Sequence, residues 1–462
     1  MNSNDQKLQM MREENISKVL LKMGVPTMIG MVVSALYSVV DAFFVGKLGT
    51  SQMGAVSIVF PIIQVIIGLG MTFGSGAASY ISRLLGAGDS EQANRTASTA
   101  LFTSLFVGAV AIAVSICFLN PILIALGATE TILPYAREFA VIYITGSIFN
   151  IFIVTMNNIV TSEGMAKLTM FSMVGSGVLN IILNPIFIFP LGLGIRGSAL
   201  SSVVSQAVAS ILYFWVIGGK KGCLRFSIKN FRFDGAIFKE IFKVGIPILI
   251  YQLLASISMG MTNSAASNYG DSAVAAFGII LRILTLGTYV VFGFMKGYQP
   301  VVGYNYGSKN YDRVNEATKV SLKWSTVFCV VMAIIFIVFP NQIVAQFSAH
   351  DAEVIDIGGQ ALRASGSLFA LFGFEQVYMS LFLALGFGTQ GWLLSISRQG
   401  LFFIPVILII PHLFGIEGII WAQPVADFLT VILTSVFATG LKKNLKALKE
   451  KTGQSGEIKK DV

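Results

Sequence analysis

The sequence predicts an all-α polytopic membrane protein: twelve transmembrane helices in two six-helix lobes, related by a pseudo-twofold axis along the membrane normal. Three observations carry this. Of 462 residues, 55% are hydrophobic and 12% charged, half the roughly 25% charge of soluble domains, and mean hydropathy is +0.76. Apolar runs of the ~20 residues a helix needs to cross a bilayer recur twelve times. The second half of the chain also repeats the first: Lys22-Met-Gly-Val-Pro26 returns as Lys243-Val-Gly-Ile-Pro247.

The spans fall at about 20–45, 53–78, 96–118, 136–161, 168–189, 196–217, 241–266, 273–300, 317–339, 359–384, 392–413 and 417–439. Only helices satisfy their own backbone in lipid, so each run is read as a helix. Residues 1–19 are polar and mixed in charge, without the apolar core and small-residue cleavage site of a signal peptide, so a retained first span is expected. An N-lobe over 20–217, a basic linker over 218–240, a C-lobe over 241–440 and a tail over 441–462 follow. Loops on one side carry Lys7, Arg12, Lys18, Arg83, Arg95, Lys167, Lys220, Lys221, Arg225, Lys229, Arg232, Lys239, Lys243, Lys309, Arg313 and Lys319, and the tail adds Lys442 through Lys460. The other side holds Lys47 and Arg196, with Arg137 at a span edge. Positive charge collects in the cytoplasm, which places both termini there.

The repeat offset is 221 positions (243 − 22), and it holds elsewhere: Gly49 falls on Gly270, Arg83-Leu-Leu-Gly86 on Tyr304-Asn-Tyr-Gly307, Asn94 on Asn315, and Gly194-Ile-Arg-Gly197 on Gly415-Ile-Glu-Gly418. Six spans per half return the chain to its starting side, so the halves are parallel repeats, an arrangement of transporters.

Several function classes are set aside. Cys117, Cys223 and Cys329, with His350 and His412, fit no metal or disulfide spacing. The net charge of +9 sits in loops beside spans, so it reflects topology rather than nucleic-acid binding. Gly68, Gly70, Gly74 and Gly76 crowd one span without the strand and Lys-Ser/Thr of a nucleotide loop, and small residues let helices approach closely. Pro26 and Pro247 are read either as helix starts or as bends. No nucleophile–base constellation is present, so no enzyme is expected.

The chemistry is carried by charge inside the spans. Asp41 lies in the first span, at a cost of at least ~2.5–3.5 kcal/mol, so a partner or a role is required. Tyr37 shares its face one turn away, Asn180 and Asn184 share a face of the fifth span, and Ser198, Ser202 and Gln206 form a stripe on the sixth. Hard cations favour such oxygen ligands, and a carboxylate out of water takes up protons more readily. Polar residues of this kind also serve as glue between helices. The second half has no counterpart of Asp41, which maps to Thr262. It carries Arg282, Lys296, Glu375, Arg398 and Asp427, with Gln376 and Tyr378 beside Glu375 and Gln423 one turn from Asp427. These charges read equally as an internal pairing network and as a substrate cavity.

Val40-Asp41-Ala-Phe-Phe-Val-Gly46, Ser82-Arg83-Leu-Leu-Gly86-Ala-Gly88, Leu179-Asn180-Ile-Ile-Leu-Asn184-Pro185, Gly297-Tyr298-Gln299-Pro300 and Tyr304-Asn305-Tyr306-Gly307 together carry a family resemblance. From about Leu20 to Leu441 the chain resembles the multidrug and toxic compound extrusion (MATE) transporters, in particular bacterial MepA-like and DinF-like members. The resemblance implies a MATE fold around a central cavity, and a monomer in the bacterial plasma (inner) membrane. It implies export of small cationic amphiphilic compounds by antiport with H⁺ or Na⁺, and no other cofactor. It also implies an ion-coupling site at Asp41, Asn180, Asn184 and Ser202. Many relatives carry Asp where this chain has Asn184, and an amide cannot titrate, which leaves both coupling ions open. The carboxylate that some relatives carry on the seventh span is absent, with Gln252 and Ala255 in that region. A lipid-linked saccharide flippase of the wider superfamily is the competing expectation, since Arg282, Lys296 and Arg398 would suit an anionic head group.

Overall fold

The computed structural model describes residues 3–218, 222–348 and 351–458. Lys220 and Lys221 of the predicted linker, Lys459 and Lys460 of the tail, and His350 lie outside them. Within the described residues the chain is helical, without strands. A short α1 (Ser3–Glu13) precedes the first half: α2 (Ile16–Gly46), α3 (Thr50–Ala87), α4 (Ser90–Cys117), a short α5 (Leu119–Ala125), α6 (Leu133–Ser162), α7 (Ala166–Ile188) and α8 (Ile195–Gly218). The second half is α9 (Gly235–Ser267), α10 (Asp271–Gly307), α11 (Tyr311–Val338), a short α12 (Pro340–Ala345), α13 (Ala352–Leu385), α14 (Gly388–Ile396), α15 (Phe403–Phe414) and α16 (Ile416–Ile458). A π-helical turn, Ser397–Leu401, joins α14 to α15 into one crossing, and the spans among the described residues number twelve.

Local chemistry repeats with the halves. Asp89 caps α4 by accepting from the Gln92 N–H at 2.9 Å, and Asn310, its equivalent, caps α11 from Arg313. Gly49 and Gly270, at φ 133° and 98°, open α3 and α10 with a backbone that a side chain would resist.

The same exchange governs how the halves meet. Helix α2 packs on α10 and α3 on α9, and swapping the halves exchanges these two contacts. A Cβ on Gly86 would strike the Tyr304 carbonyl, and one on the equivalent Gly307 would strike the Arg83 carbonyl. Gly76 meets Ile241, and a Cβ on Gly297 would stand 2.5 Å from the Gly24 nitrogen; Gly245 meets Thr72, and Gly293 meets Met28. The glycine cluster of α3 thus divides its work: Gly68 and Gly76 seat α9, while Gly70 and Gly74 seat α6.

All these approaches lie toward the face that carries the chain termini. Further along the same helices, Gly46, Gly260 and Gly278 have no heavy atom within 4 Å of where a Cβ would sit. The close approaches between the halves thus gather at the termini face, and their absence at these three glycines beyond Gly68 and Leu249 points to a cleft there between α2, α3, α9 and α10. Pro26 and Pro247 lie inside α2 and α9, well past the first turn, and both are buried. The helix-start reading is thereby corrected, because only the first turn can lose a proline N–H without losing an intrahelical bond.

Polar groups lock the sealed face. Arg83 Nη2 pairs with Glu240 Oε2 at 2.6 Å, the side chains 17% and 23% exposed, and its guanidinium lies 2.7 Å from where a Cβ of Gly386 would stand. Gly386 also takes φ 76° at the end of α13, so it must be glycine on both counts. Ser79 Oγ donates to the Leu383 carbonyl at 2.6 Å. Helix α1 is docked, not free: Arg313 Nη2 donates to the Glu14 carbonyl at 2.7 Å and Asn305 Nδ2 to the Met11 carbonyl at 3.1 Å. Lys22 at 2.7 Å and Lys18 at 3.0 Å hold the Glu14 carboxyl below its ordinary range. The linker is tied to the first half by the buried Glu163, which accepts from the N–H groups of Cys223 at 2.6 Å and Leu224 at 3.0 Å.

Arg83→Gln removes an ion pair that is largely but not wholly out of water, and should cost the sealed state about 1–3 kcal/mol. Pulsed electron spin distances between labels at Lys22 and Ser308 check this: a longer-distance population should appear in the variant, and an unchanged distribution would contradict it.

Candidate functional site: a carboxylate among orphan oxygens

Helices α2, α7 and α8 bring the first-half candidates together near the face opposite the termini. Asp41 lies five residues before the end of α2, about 7.5 Å at 1.5 Å per residue. Gly177 lets α7 close on α2, with Val33 Cγ1 2.9 Å and Tyr37 Cδ1 3.5 Å from where its Cβ would be. Asp41 Oδ1 accepts from Asn184 Nδ2 and from Ser198 Oγ at 2.7 Å. A carboxylate only accepts, so the Asn184 amide turns its nitrogen toward Asp41 and its oxygen away. Deeper in the lobe, Asn180 Nδ2 donates to Ser202 Oγ at 3.1 Å and to Ser201 Oγ at 3.4 Å.

Ser198, assigned by the sequence to the wider cavity, is thus a direct partner of Asp41, while Ser202 reaches the site through Asn180. The side-chain oxygens of Asn180 and Asn184 are buried and accept no hydrogen bond from the protein, an arrangement that costs about 1–3 kcal/mol per group. The Asn184 oxygen faces away from Asp41 and the Asn180 oxygen belongs to the residue one turn deeper on α7, so the group that can take up a proton or a small hard cation here is the Asp41 carboxylate, with these orphan oxygens in the polar cluster around it. Tyr37 stands one turn from Asp41, and Gln206 lies near the Tyr143 hydroxyl. Tyr143 was missed by the sequence reading. Its only signal is a lone hydroxyl within the apolar run Phe139-Ala-Val-Ile-Tyr143-Ile.

The second-half charges separate into two groups. Arg398 sits in the π turn, with Nε 2.9 Å from Asp427 Oδ1, Nη2 3.3 Å from Oδ2, and Glu375 Oε2 3.8 Å from Nε. Gln423 donates to Asp427 at 2.7 Å, and the Phe372 ring covers the guanidinium at 4.7 Å. Ser258 Oγ donates to the Gln399 carbonyl at 2.6 Å, satisfying an acceptor within the π turn. Glu375, Gln376 and Tyr378 are buried. Arg282 is exposed and Lys296 half-buried, and neither has an acidic partner among the described residues.

A helical bundle of parallel repeats, sealed at one face and holding one carboxylate in a polar cluster, has the architecture of a transporter. The chain belongs to the MatE family, whose profile matches residues 26–186 and 247–409, one stretch in each half. Its members are transporters and not enzymes, and so is this protein. It is 29% identical over 442 residues to the multidrug export protein MepA of Staphylococcus haemolyticus, covering 96% of this chain and 97% of that one. To MepA of Staphylococcus aureus strain MRSA252 it is 28% identical over 443 residues, with the same coverage. Among solved structures, an outward-facing multidrug resistance MATE transporter superposes with a TM-score of 0.90 at 27% identity, covering 96% of this chain and 98% of that one. A transporter from Pyrococcus furiosus, described as having a binding pocket of reverse polarity, superposes at 0.89 with 28% identity, again covering 96% and 98%.

Arg398→Met leaves Asp427 and Glu375 as buried carboxylates without a cation, and should destabilise the folded protein by about 3–5 kcal/mol. The double change Arg398→Met with Asp427→Leu should recover most of that loss. Thermal unfolding of the purified variants in one detergent checks both statements.

Proposed function

We propose that the protein is a secondary antiporter that exports lipophilic cationic compounds in exchange for H⁺ or Na⁺. The reading places it as a monomer in a bacterial plasma membrane with both termini cytoplasmic, so the sealed face is cytoplasmic and the cleft opens outward. The observation that carries it is Asp41, held by Asn184 and Ser198 beside the orphan oxygens of Asn180 and Asn184. A proton or Na⁺ arriving there neutralises the carboxylate and changes what α7 and α8 gain by packing against α2. Such an ion shifts the balance between outward and inward states by its differential affinity for the two, and by no more. Relatives named multidrug export proteins support the cargo class, and the saccharide flippase is not favoured.

Asp41→Asn keeps the shape and removes the titratable charge, so gradient-driven ethidium efflux from proteoliposomes should fall to the level of protein-free vesicles. Ser198→Ala deletes one neutral partner and should cost only part of the activity, and Ser202→Ala less. Imposing Na⁺ and pH gradients separately identifies the ion. Wild-type efflux by Asp41→Asn at matched reconstitution would refute the assignment.

A further inference from the structure

The segment that joins the two halves is held more firmly than a connection requires. On α4, Asn94 Oδ1 accepts from the Arg225 N–H at 2.6 Å, Ser98 Oγ from the Ser227 N–H at 3.2 Å, and Thr99 Oγ1 from the Arg232 N–H at 3.2 Å. Ser227 Oγ caps a 3₁₀ turn, Ile228–Asn230, by accepting from the Lys229 N–H, and Asn230 Nδ2 donates back to the Arg225 carbonyl at 3.0 Å. The three anchors straddle the start of the apolar span of α4 near residue 96, with Asn94 before it and Ser98 and Thr99 within it. The segment therefore lies at the depth where hydrocarbon gives way to head groups. Trp215, exposed near the end of α8 on the same face, is the residue type that marks this depth.

This frame presents apolar and basic side chains together. Ile228 is 76% exposed and Phe233 89%, the two highest values for large hydrophobic side chains among the described residues. Phe106 and Leu413, which come next, stand on spans, where lipid tails cover them. Ile228 and Phe233 stand on no span. Phe233 is the outer end of a row of rings, with Phe238 at 5.3 Å, Phe242 at 5.9 Å beyond it and the buried Phe73 of α3 at 5.8 Å from Phe242. The row turns Phe233 away from the interior. Lys229 and Arg232 are exposed and form no ion pair among the described residues. From Cys223 to Lys239 the chain holds four bases, Arg225, Lys229, Arg232 and Lys239, against one acid, Asp234, whose carboxyl caps α9. Protruding apolar side chains flanked by bases at this depth suit a segment that lies in the plane of the membrane surface.

We propose that Ile228 and Phe233 insert at the boundary between acyl chains and head groups in the leaflet on the termini face, and that Lys229 and Arg232 bind the phosphates of anionic phospholipid there. Bases near such a surface are drawn to it, and burying the two apolar side chains removes hydrophobic area from water. Because Asn94, Ser98 and Thr99 hold the segment to α4, the lipid grips the first half directly. Docking needs only that the twelve helices cross a bilayer, and it does not depend on antiport.

Phe233→Trp keeps a ring at the site and adds one fluorophore to the four native tryptophans. The full-length variant and wild type are compared in nanodiscs of phosphatidylcholine and phosphatidylglycerol, with bromine on the acyl chains of one lipid or the other, and the wild-type emission is subtracted. Either brominated lipid should quench the added emission, and at equal mole fraction brominated phosphatidylglycerol should quench it at least about twofold more. Adding Lys229→Gln with Arg232→Gln should bring the two lipids to equality, whereas Lys229→Arg with Arg232→Lys should keep the preference. All these side chains are exposed, so the variants should melt with wild type. Absence of quenching by both lipids would place the segment in water, as a bare surface or a site for a soluble partner, and would overturn the proposal. Equal quenching by the two lipids in Phe233→Trp alone, or a phosphatidylglycerol preference that survives loss of both charges, overturns the assignment of anionic lipid to Lys229 and Arg232.

Discussion

Backbone-to-backbone approach at glycine is the contact on which the rest of the molecule depends. At Gly24, Gly76, Gly86, Gly245, Gly293, Gly297 and Gly307 the two halves come so close that any side chain would strike the facing helix. Lipid tails compete for apolar side chains as well as Leu does, so packing of this kind, not hydrophobicity, holds membrane helices together. Because the contacts gather at one face, they seal that face and leave the other ends of α2, α3, α9 and α10 apart. The Arg83–Glu240 pair and the Ser79 bond to Leu383 add directional locks to the seal without filling the cleft.

Within that frame the charges divide by what surrounds them. Arg398, Asp427 and Glu375 have one another, a glutamine and an aromatic ring, the setting in which a buried ion pair persists. Asp41 has hydrogen bonds but no cation, and orphan oxygens lie beside it. In the proposed antiport its neutraliser is the exchanged ion, which comes and goes. The two halves share a backbone plan but not this chemistry. Asp41 maps to Thr262 and Asn184 to Pro405, so the second half cannot rebuild the same donor set.

The fold was largely legible in the sequence because its signals are one-dimensional. Span length, charge at loop positions and a repeat of 221 residues survive without coordinates, and they gave twelve helices in two related halves. Asp41 announced itself by its cost in hydrocarbon, and the i, i+4 pairs placed Asn180 with Asn184 on one face. The sequence reading put Ser202 and not Ser198 in the ion-coupling set, whereas Ser198 is the residue that donates to Asp41. Both lie on one stripe of α8, and the choice depends on how far that helix is shifted along α2.

Other features had no one-dimensional signal at all. Pro26 and Pro247 read equally as helix starts and as bends until the turns preceding them are seen to be helical. The five ionisable residues of the second half look alike in a list. Only packing of the π turn against α13 and α16 gives Arg398 both acids and leaves Arg282 and Lys296 without one. Composition, periodicity and charge thus determined which segments span the membrane and which residues carry an uncompensated cost there. Tertiary structure decided which of those costs are cancelled by a neighbour, because hydrogen bonds and ion pairs act over a few ångströms between helices far apart in the chain.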